Sequence, residues 1–191
     1  NFILSAIEHL QKREFHKIPQ ILNNKDGTKY IKLENSYAYL TEWIPSRVSN
    51  YDNPIELSKV AEKLGELHTR STGFNINNNM RPRIGWYSWI NVFNTRCNEI
   101  LDFKNRINQK AYKSKFDCIY LNNIEAEIER GKKAIDNLKK HKYIEIMDKE
   151  VMKMGFCHHD YAHHNILVDD KNELNIMTVM PLLIMLTLNG A

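Results

Sequence analysis

The segment from Cys157 to Leu167 contains residue types that could transfer a phosphate group. A histidine is followed two residues later by an aspartate and then, after five more, by an asparagine: His158, Asp160 and Asn165. An aspartate on a rigid loop can orient an attacking hydroxyl and accept its proton, and an amide oxygen can hold a magnesium ion on the phosphates. The spacing therefore predicts Asp160 as catalytic base and Asn165 as metal ligand, with His158 bracing the loop.

Two other interpretations of this segment remain open. Three matched residues could arise by accident in a chain that is rich in histidine and asparagine. Alternatively, the cluster could bind a metal directly, because its His-Asp pair resembles the dyad of helical metal-dependent phosphohydrolases. The candidate ligands are Cys157, His158, His159, Asp160, His163 and His164. The position of these residues before a short β hairpin, rather than on helices, favours the phosphotransferase interpretation over metal binding.

Length and composition narrow the classes of protein. The chain has 191 residues, a formal net charge of +4 and 42% hydrophobic residues, which suits one globular unit rather than a multidomain or disordered protein. The charge is spread along the sequence, so we expect no nucleic-acid partner. The apolar tail from Ile176 to Leu188 is broken by Pro181 and is shorter than the roughly 20 residues that span a bilayer, so we expect no membrane insertion. Three cysteines without a C-x-x-C motif favour a reducing compartment, which we take to be the cytoplasm.

The first part of the chain predicts a helix followed by a hairpin. Apolar residues recur at helical spacing from Phe2 to Leu10. The β-rich stretches 29–33 and 37–44 flank a turn at 34–36. Pro45-Ser46 then ends the second strand, and a polar linker follows through Asp52.

The remainder predicts a mainly helical region that ends in short strands. Asn53 as N-cap and Pro54 announce a helix. Its expected buried face is Leu57, Val60, Ala61, Leu64, Leu67 and His68. Helical patterns follow at 86–109 and 121–140, and short strands flank a turn at 169–172. The sequence thus favours the α+β class.

The sequence resembles the aminoglycoside phosphotransferase and choline kinase-like superfamily, and within it the CotS family of bacterial spore coat proteins. The resemblance is carried mainly by the catalytic-loop signature from His158 to Leu167. Three flanking stretches agree in order and spacing: Phe2 to Pro19, Tyr39 to Ile44 (YLTEWI), and Leu64 to His68 (LGELH).

The resemblance implies an incomplete protein kinase-like fold. Residues 1–45 would be the end of the N-lobe, and residues 46–191 would be part of the C-lobe, with an atypical tail at 177–191. The backbone around Glu42 and Ile44 would meet the adenine of ATP, and Mg²⁺ would be the second cofactor.

Two elements that a working member needs do not occur in their expected places. The N-lobe lysine would precede the first helix, and an aspartate would follow the hairpin where this chain reads Asn175-Ile176-Met177. We therefore expect a truncated, catalytically impaired spore coat protein with other coat proteins as partners. An active ATP-dependent kinase that phosphorylates a small-molecule or surface hydroxyl is the alternative.

Overall fold

A computed structural model describes residues 2–34, 36–177 and 182–183. They fall into two compact units, Asn1–Ile84 with Lys153–Ala191, and Gly85–Met152. Mixed helices and short strands confirm the α+β class. Most of the predicted tail, residues 178–181 and 184–191, lies outside the described residues.

The chain opens with helix α1 (Phe2–Lys12), as its apolar spacing predicted. A turn around Asn24 follows, in which the Asn24 side chain accepts hydrogen bonds from the N–H groups of Asp26 and Thr28. Strands β1 (Ile31–Leu33) and β2 (Ser36–Ala38) then pair as an antiparallel hairpin. The prediction of a strand over 37–44 is wrong in extent, because after Ala38 only Thr41 forms a bridge, to Ile21.

The prediction that Pro45-Ser46 ends a strand and begins a linker is also wrong. Strand β3 (Ser46–Val48) starts there and pairs antiparallel with β5 (Ile166–Asp169), with Arg47 opposite Val168. The polar composition of 46–52 conceals this strand because none of the three β3 residues is buried, so no apolar alternation marks it.

Helix α2 (Pro54–Ser71) begins as predicted, with the Asn53 side chain accepting from the N–H groups of Ile55 and Glu56. The expected buried face is only partly correct. Val60 and Leu67 are buried, whereas Leu57 and Ala61 are exposed. Glu56 is buried instead, because its carboxylate pairs with Arg47.

The unit Gly85–Met152 is helical. It contains α3 (Trp89–Asn108), α4 (Lys115–Lys140) and most of α5 (Tyr143–Lys153). Helix α4 starts six residues before the predicted position because Ser114 and Asp117 form a capping box. Helix α5 is not among the predicted elements. The core of this unit is built from Ile107, Ile124, Ile128, Ile135, Tyr143 and Met147.

The other unit is completed by the predicted terminal hairpin. Strand β5 pairs with β6 (Leu174–Ile176), so the sheet order is β3-β5-β6. Two further short strands, β4 (Arg83–Ile84) and β7 (Leu182–Leu183), pair in parallel. The core joins α1, α2 and the sheet through Ala6, Leu10, Phe15, Leu67, Phe156, Ile166 and Ile176. No helix in the described part of the chain is long and apolar enough to cross a membrane.

Candidate active site

The loop that leads into β5 brings Asp160 and Asn165 into direct contact. The Asn165 side-chain amide donates to the Asp160 carboxylate and to the Asp160 backbone carbonyl, each at 2.9 Å. The backbone N–H of Asn165 donates to the Ala162 carbonyl at 2.9 Å, within a short 3-10 helix, His163–Asn165. The sequence spacing therefore corresponds to one closed turn, with the Asp160 side chain 56% exposed and able to meet a substrate.

Strand pairing fixes the end of this turn. The Asn165 carbonyl accepts from the Met177 N–H at 3.0 Å, just beyond β6, and Ile166 starts β5 with no exposed surface. The apolar strand after this loop anchors it, since burial of Ile166 and Ile176 holds the hairpin from which Asn165 projects.

His158 is buried, with 1% of its surface exposed, and its role in bracing the loop stays a prediction. Its ring meets the ring of Tyr161 edge to face, with 5.6 Å between centroids. Burial lowers the pKa of His158 to about 4, although the charge and backbone of nearby Asp160 oppose the shift. At neutral pH the ring is therefore uncharged, which suits packing better than proton transfer.

Support from the segment before α2 is the part of the site that sequence reasoning missed. Ser49 donates its N–H to the Ile166 carbonyl at 2.8 Å and its hydroxyl to the His163 carbonyl at 3.1 Å. The Tyr51 hydroxyl donates to the Tyr161 carbonyl at 3.2 Å. The polar composition of this segment predicts a linker, and it carries no signal of pairing with a loop over a hundred residues away.

The Tyr161 hydroxyl connects the loop to α2. It donates to the carbonyl of Val60 at 2.9 Å, and burial raises the pKa of Tyr161 well above its usual range. The hydroxyl therefore stays protonated and acts as a hydrogen-bond donor rather than as a base.

Two other histidines of the loop contact charged groups. His159 adopts a left-handed backbone with φ of 70°, and its Nε2 lies 2.9 Å from an Arg83 guanidinium nitrogen. Arginine has no acceptor, so His159 Nε2 must accept this hydrogen bond. The His164 Nε2 lies 3.9 Å from the Asp160 carboxylate. Neither contact brings several histidines together as ligands of one metal ion.

The predicted adenine contacts lie beyond the N-terminal hairpin. The Glu42 N–H donates to the Gln20 carbonyl at 3.2 Å, within the bridge between Ile21 and Thr41. The carbonyl of Glu42 and the N–H of Ile44 make no hydrogen bond within the described residues. One acceptor and one donor are thus available at the positions that the resemblance assigns to adenine.

The residues present fit a magnesium ion only in part. Because both N–H groups of the Asn165 amide are used by Asp160, its amide oxygen is left for a hard cation. No group of three or more His, Cys, Asp or Glu side chains within 2–34 and 36–177 could hold a metal. The phosphohydrolase interpretation therefore has no ligand cluster within these residues. A magnesium ion bound to Asn165 would need oxygens of phosphate and water to complete its coordination.

Comparison with solved structures identifies the fold. An aminoglycoside phosphotransferase from Alicyclobacillus acidocaldarius matches 95% of this chain with a TM-score of 0.81 at 17% identity. A spectinomycin phosphotransferase in complex with ADP and spectinomycin matches 94% with a TM-score of 0.54 at 16% identity. The AMP-bound complex of spectinomycin phosphotransferase matches 94% with a TM-score of 0.55 at 16% identity.

The chain therefore has the aminoglycoside phosphotransferase fold, which confirms the predicted kinase-like architecture. It spans about half the length of these structures, 53% of the first two and 55% of the third. No family model matches the sequence. The roles assigned to Asp160, Asn165, His158, Glu42 and Ile44 remain predictions, as does the lobe boundary at residue 45.

Proposed function

We propose that this chain carries the catalytic-loop portion of an ATP-dependent phosphotransferase. The observation that supports the proposal is the hydrogen-bonded pair of Asp160 and Asn165, on a turn fixed between a buried histidine and a buried strand. In this fold, such a pair places a proton acceptor beside an amide oxygen, which is the combination that transfer to a hydroxyl needs.

The reaction would proceed by displacement at the γ-phosphorus of ATP. The acceptor oxygen forms a bond to phosphorus, the bond to the ADP oxygen breaks, and the hydroxyl proton passes to the Asp160 carboxylate. Asn165 would supply its amide oxygen to Mg²⁺, which neutralises phosphate charge when bound. The Glu42 carbonyl and the Ile44 N–H would hold the adenine edge, which leaves His158 to fix the loop from below.

The proposal includes impaired catalysis in the 191-residue chain. The second metal-binding aspartate that the resemblance requires does not occur at its expected position, where this sequence reads Asn175-Ile176-Met177. Phosphoryl transfer depends on positioning and charge neutralisation, so the loss of this charged group is expected to slow it severely. A structural role in the spore coat, as in the CotS family, would not require turnover.

Calorimetric titration with ATP and magnesium tests whether the site binds nucleotide. We expect saturable, magnesium-dependent binding in the folded chain, and roughly tenfold weaker binding in Asn165→Ala, because a magnesium ligand is removed. Asn123→Ala is the matched control, since the Asn123 amide is exposed on α4 and donates to the Ile119 carbonyl of the same helix. A folded chain that shows no binding would contradict the nucleotide-binding part of the proposal.

Asp160→Ala separates the coat role from the enzymatic role. A coat component should assemble normally in sporulating cells that carry this substitution, whereas phosphate transfer should disappear. Asp170→Ala, an exposed carboxylate in the β5–β6 turn, serves as the control. Failure of the wild-type chain to localise to the spore coat would rule out the CotS-like role.

A further inference from the structure

An ion pair between β3 and the first turn of α2 lies behind the catalytic loop. The Arg47 guanidinium donates to both oxygens of the Glu56 carboxylate, at 3.1 and 2.9 Å. The Glu56 side chain is only 9% exposed, and this pairing lowers the pKa of the Glu56 carboxyl. A carboxylate so deeply placed needs its partners, because an unpaired charge there would be poorly solvated.

Glu56 also holds the backbone that follows β3. Its Oε1 accepts from the Asn50 N–H at 2.7 Å, and Arg47 donates in addition to the Val48 carbonyl at 3.0 Å. One carboxylate therefore fixes both ends of the segment from 47 to 50. We name residues 47–51 the brace segment.

The brace segment makes three hydrogen bonds to carbonyls of the catalytic loop and of the strand that follows it. Ser49 bonds the carbonyls of His163 and Ile166, and Tyr51 bonds that of Tyr161. Asn165 lies within this bonded stretch, and its amide in turn holds Asp160. Hydrogen bonds and short stretches of backbone together thus connect Glu56 to the proposed catalytic pair.

We propose that Glu56 is a positioning residue that sets the place of the catalytic loop through the brace segment. The inference that this matters for phosphate transfer rests on the proposed function, whereas the mechanical link itself does not. Glu56 touches neither Asp160 nor Asn165, so its effect should appear first in the order of the loop.

Hydrogen exchange of the free protein tests the link without any ligand. We expect Glu56→Gln, which keeps the shape but removes the charge, to speed exchange of the Asn165 and Ile166 amides roughly tenfold, because the loop opens locally. Amides in the core of α4, such as those of Ile124 and Ile128, should keep their wild-type rates. Arg47→Gln should act in the same direction.

Asp102→Asn is the matched control, because Asp102 forms an exposed ion pair with Arg106 on α3. This change should leave loop exchange unaltered. If loop exchange in Glu56→Gln rises no more than that of α4, the inference is overturned. Should Glu56→Gln fail to fold, Arg47→Gln decides by the same criterion.

Titration with ATP and magnesium adds the functional readout. If the wild-type chain binds, Glu56→Gln should weaken binding severalfold and acetate should not restore it, since the carboxylate acts through the chain. A wild-type chain that binds no nucleotide would overturn the proposed function while leaving the exchange experiment as the test of this link.

Discussion

At the scale of single residues, the burial of His158 in the candidate site couples folding stability to pH. Burial beside Tyr161 holds its pKa at about 4, whereas the ordinary value is 6.5. Between these two pH values the unfolded chain binds a proton at this position and the folded chain does not. Proton binding by the unfolded chain therefore lowers the free energy of unfolding as pH drops from 6.5 towards 4. Above pH 6.5 this loss is absent, because the ring is neutral in both states.

Substitution of His158 should remove this pH dependence. The wild-type protein should lose up to about 3 kcal/mol of unfolding free energy between pH 6.5 and 4 because of this ring. His158→Phe keeps an aromatic ring against Tyr161 and cannot titrate, so its loss over the same range should be smaller. Denaturant unfolding at several pH values measures both slopes.

A substitution that removes no titratable group provides the control for that measurement. Asn123 is exposed on α4, and its amide donates to the Ile119 carbonyl. Asn123→Ala should reproduce the wild-type slope. Equal slopes for His158→Phe and the wild type would show that the buried ring does not couple folding to protons.

At the scale of elements, two glycines within helices have opposite surroundings. Gly65 lies in α2, and a Cβ built there would meet nothing within 4 Å. Gly131 lies in α4, where a Cβ would overlap the Cys97 Sγ of α3. Gly131 therefore allows α3 and α4 to approach closely, whereas Gly65 has no packing role.

The same substitution should consequently change stability in opposite directions. We expect Gly65→Ala to raise the unfolding free energy by about 0.5–1 kcal/mol, because alanine favours the helix. Gly131→Ala should lower it by about 1–2 kcal/mol, since overpacking outweighs the same helical gain. Thermal and denaturant unfolding of the two variants give the comparison.

A second substitution isolates the cause of the expected loss. Cys97→Ala removes the sulfur that the new methyl group would meet, so Gly131→Ala should cost less in that background. Such a difference in cost is the interaction energy of the two sites. No change between backgrounds would mean that the helices do not pack through these two residues.

At the scale of the whole molecule, the sequence predicted those elements whose signals are local. The cap at Asn53 and the terminal hairpin are marked by neighbouring residues, so both appear as expected. The turn from Asp160 to Asn165 likewise follows from spacing, since Asn165 reaches Asp160 within five residues.

Elements that depend on distant partners were missed. Strand β3 is exposed and polar, and its pairing with β5 gives it order. Burial of the Glu56 carboxylate is not among the predictions, because the arginine that pairs with it lies nine residues earlier on that unrecognised strand. The adenine contacts near Glu42 rest on resemblance alone, because an irregular backbone leaves no periodicity to interpret.

The pairing of β3 with β5 has a consequence for the order in which the chain acquires structure. Ser49 and His163 are separated by 114 positions, so this contact closes a long loop. Closing a long loop is slow, whereas helices α3 and α4 follow one another in the chain and pack against each other. On a translating ribosome, α3 and α4 can pair while the earlier β3 still waits for β5 to be made. Pulse-labelling during refolding should show protection of α4 amides before that of the Ser49 amide.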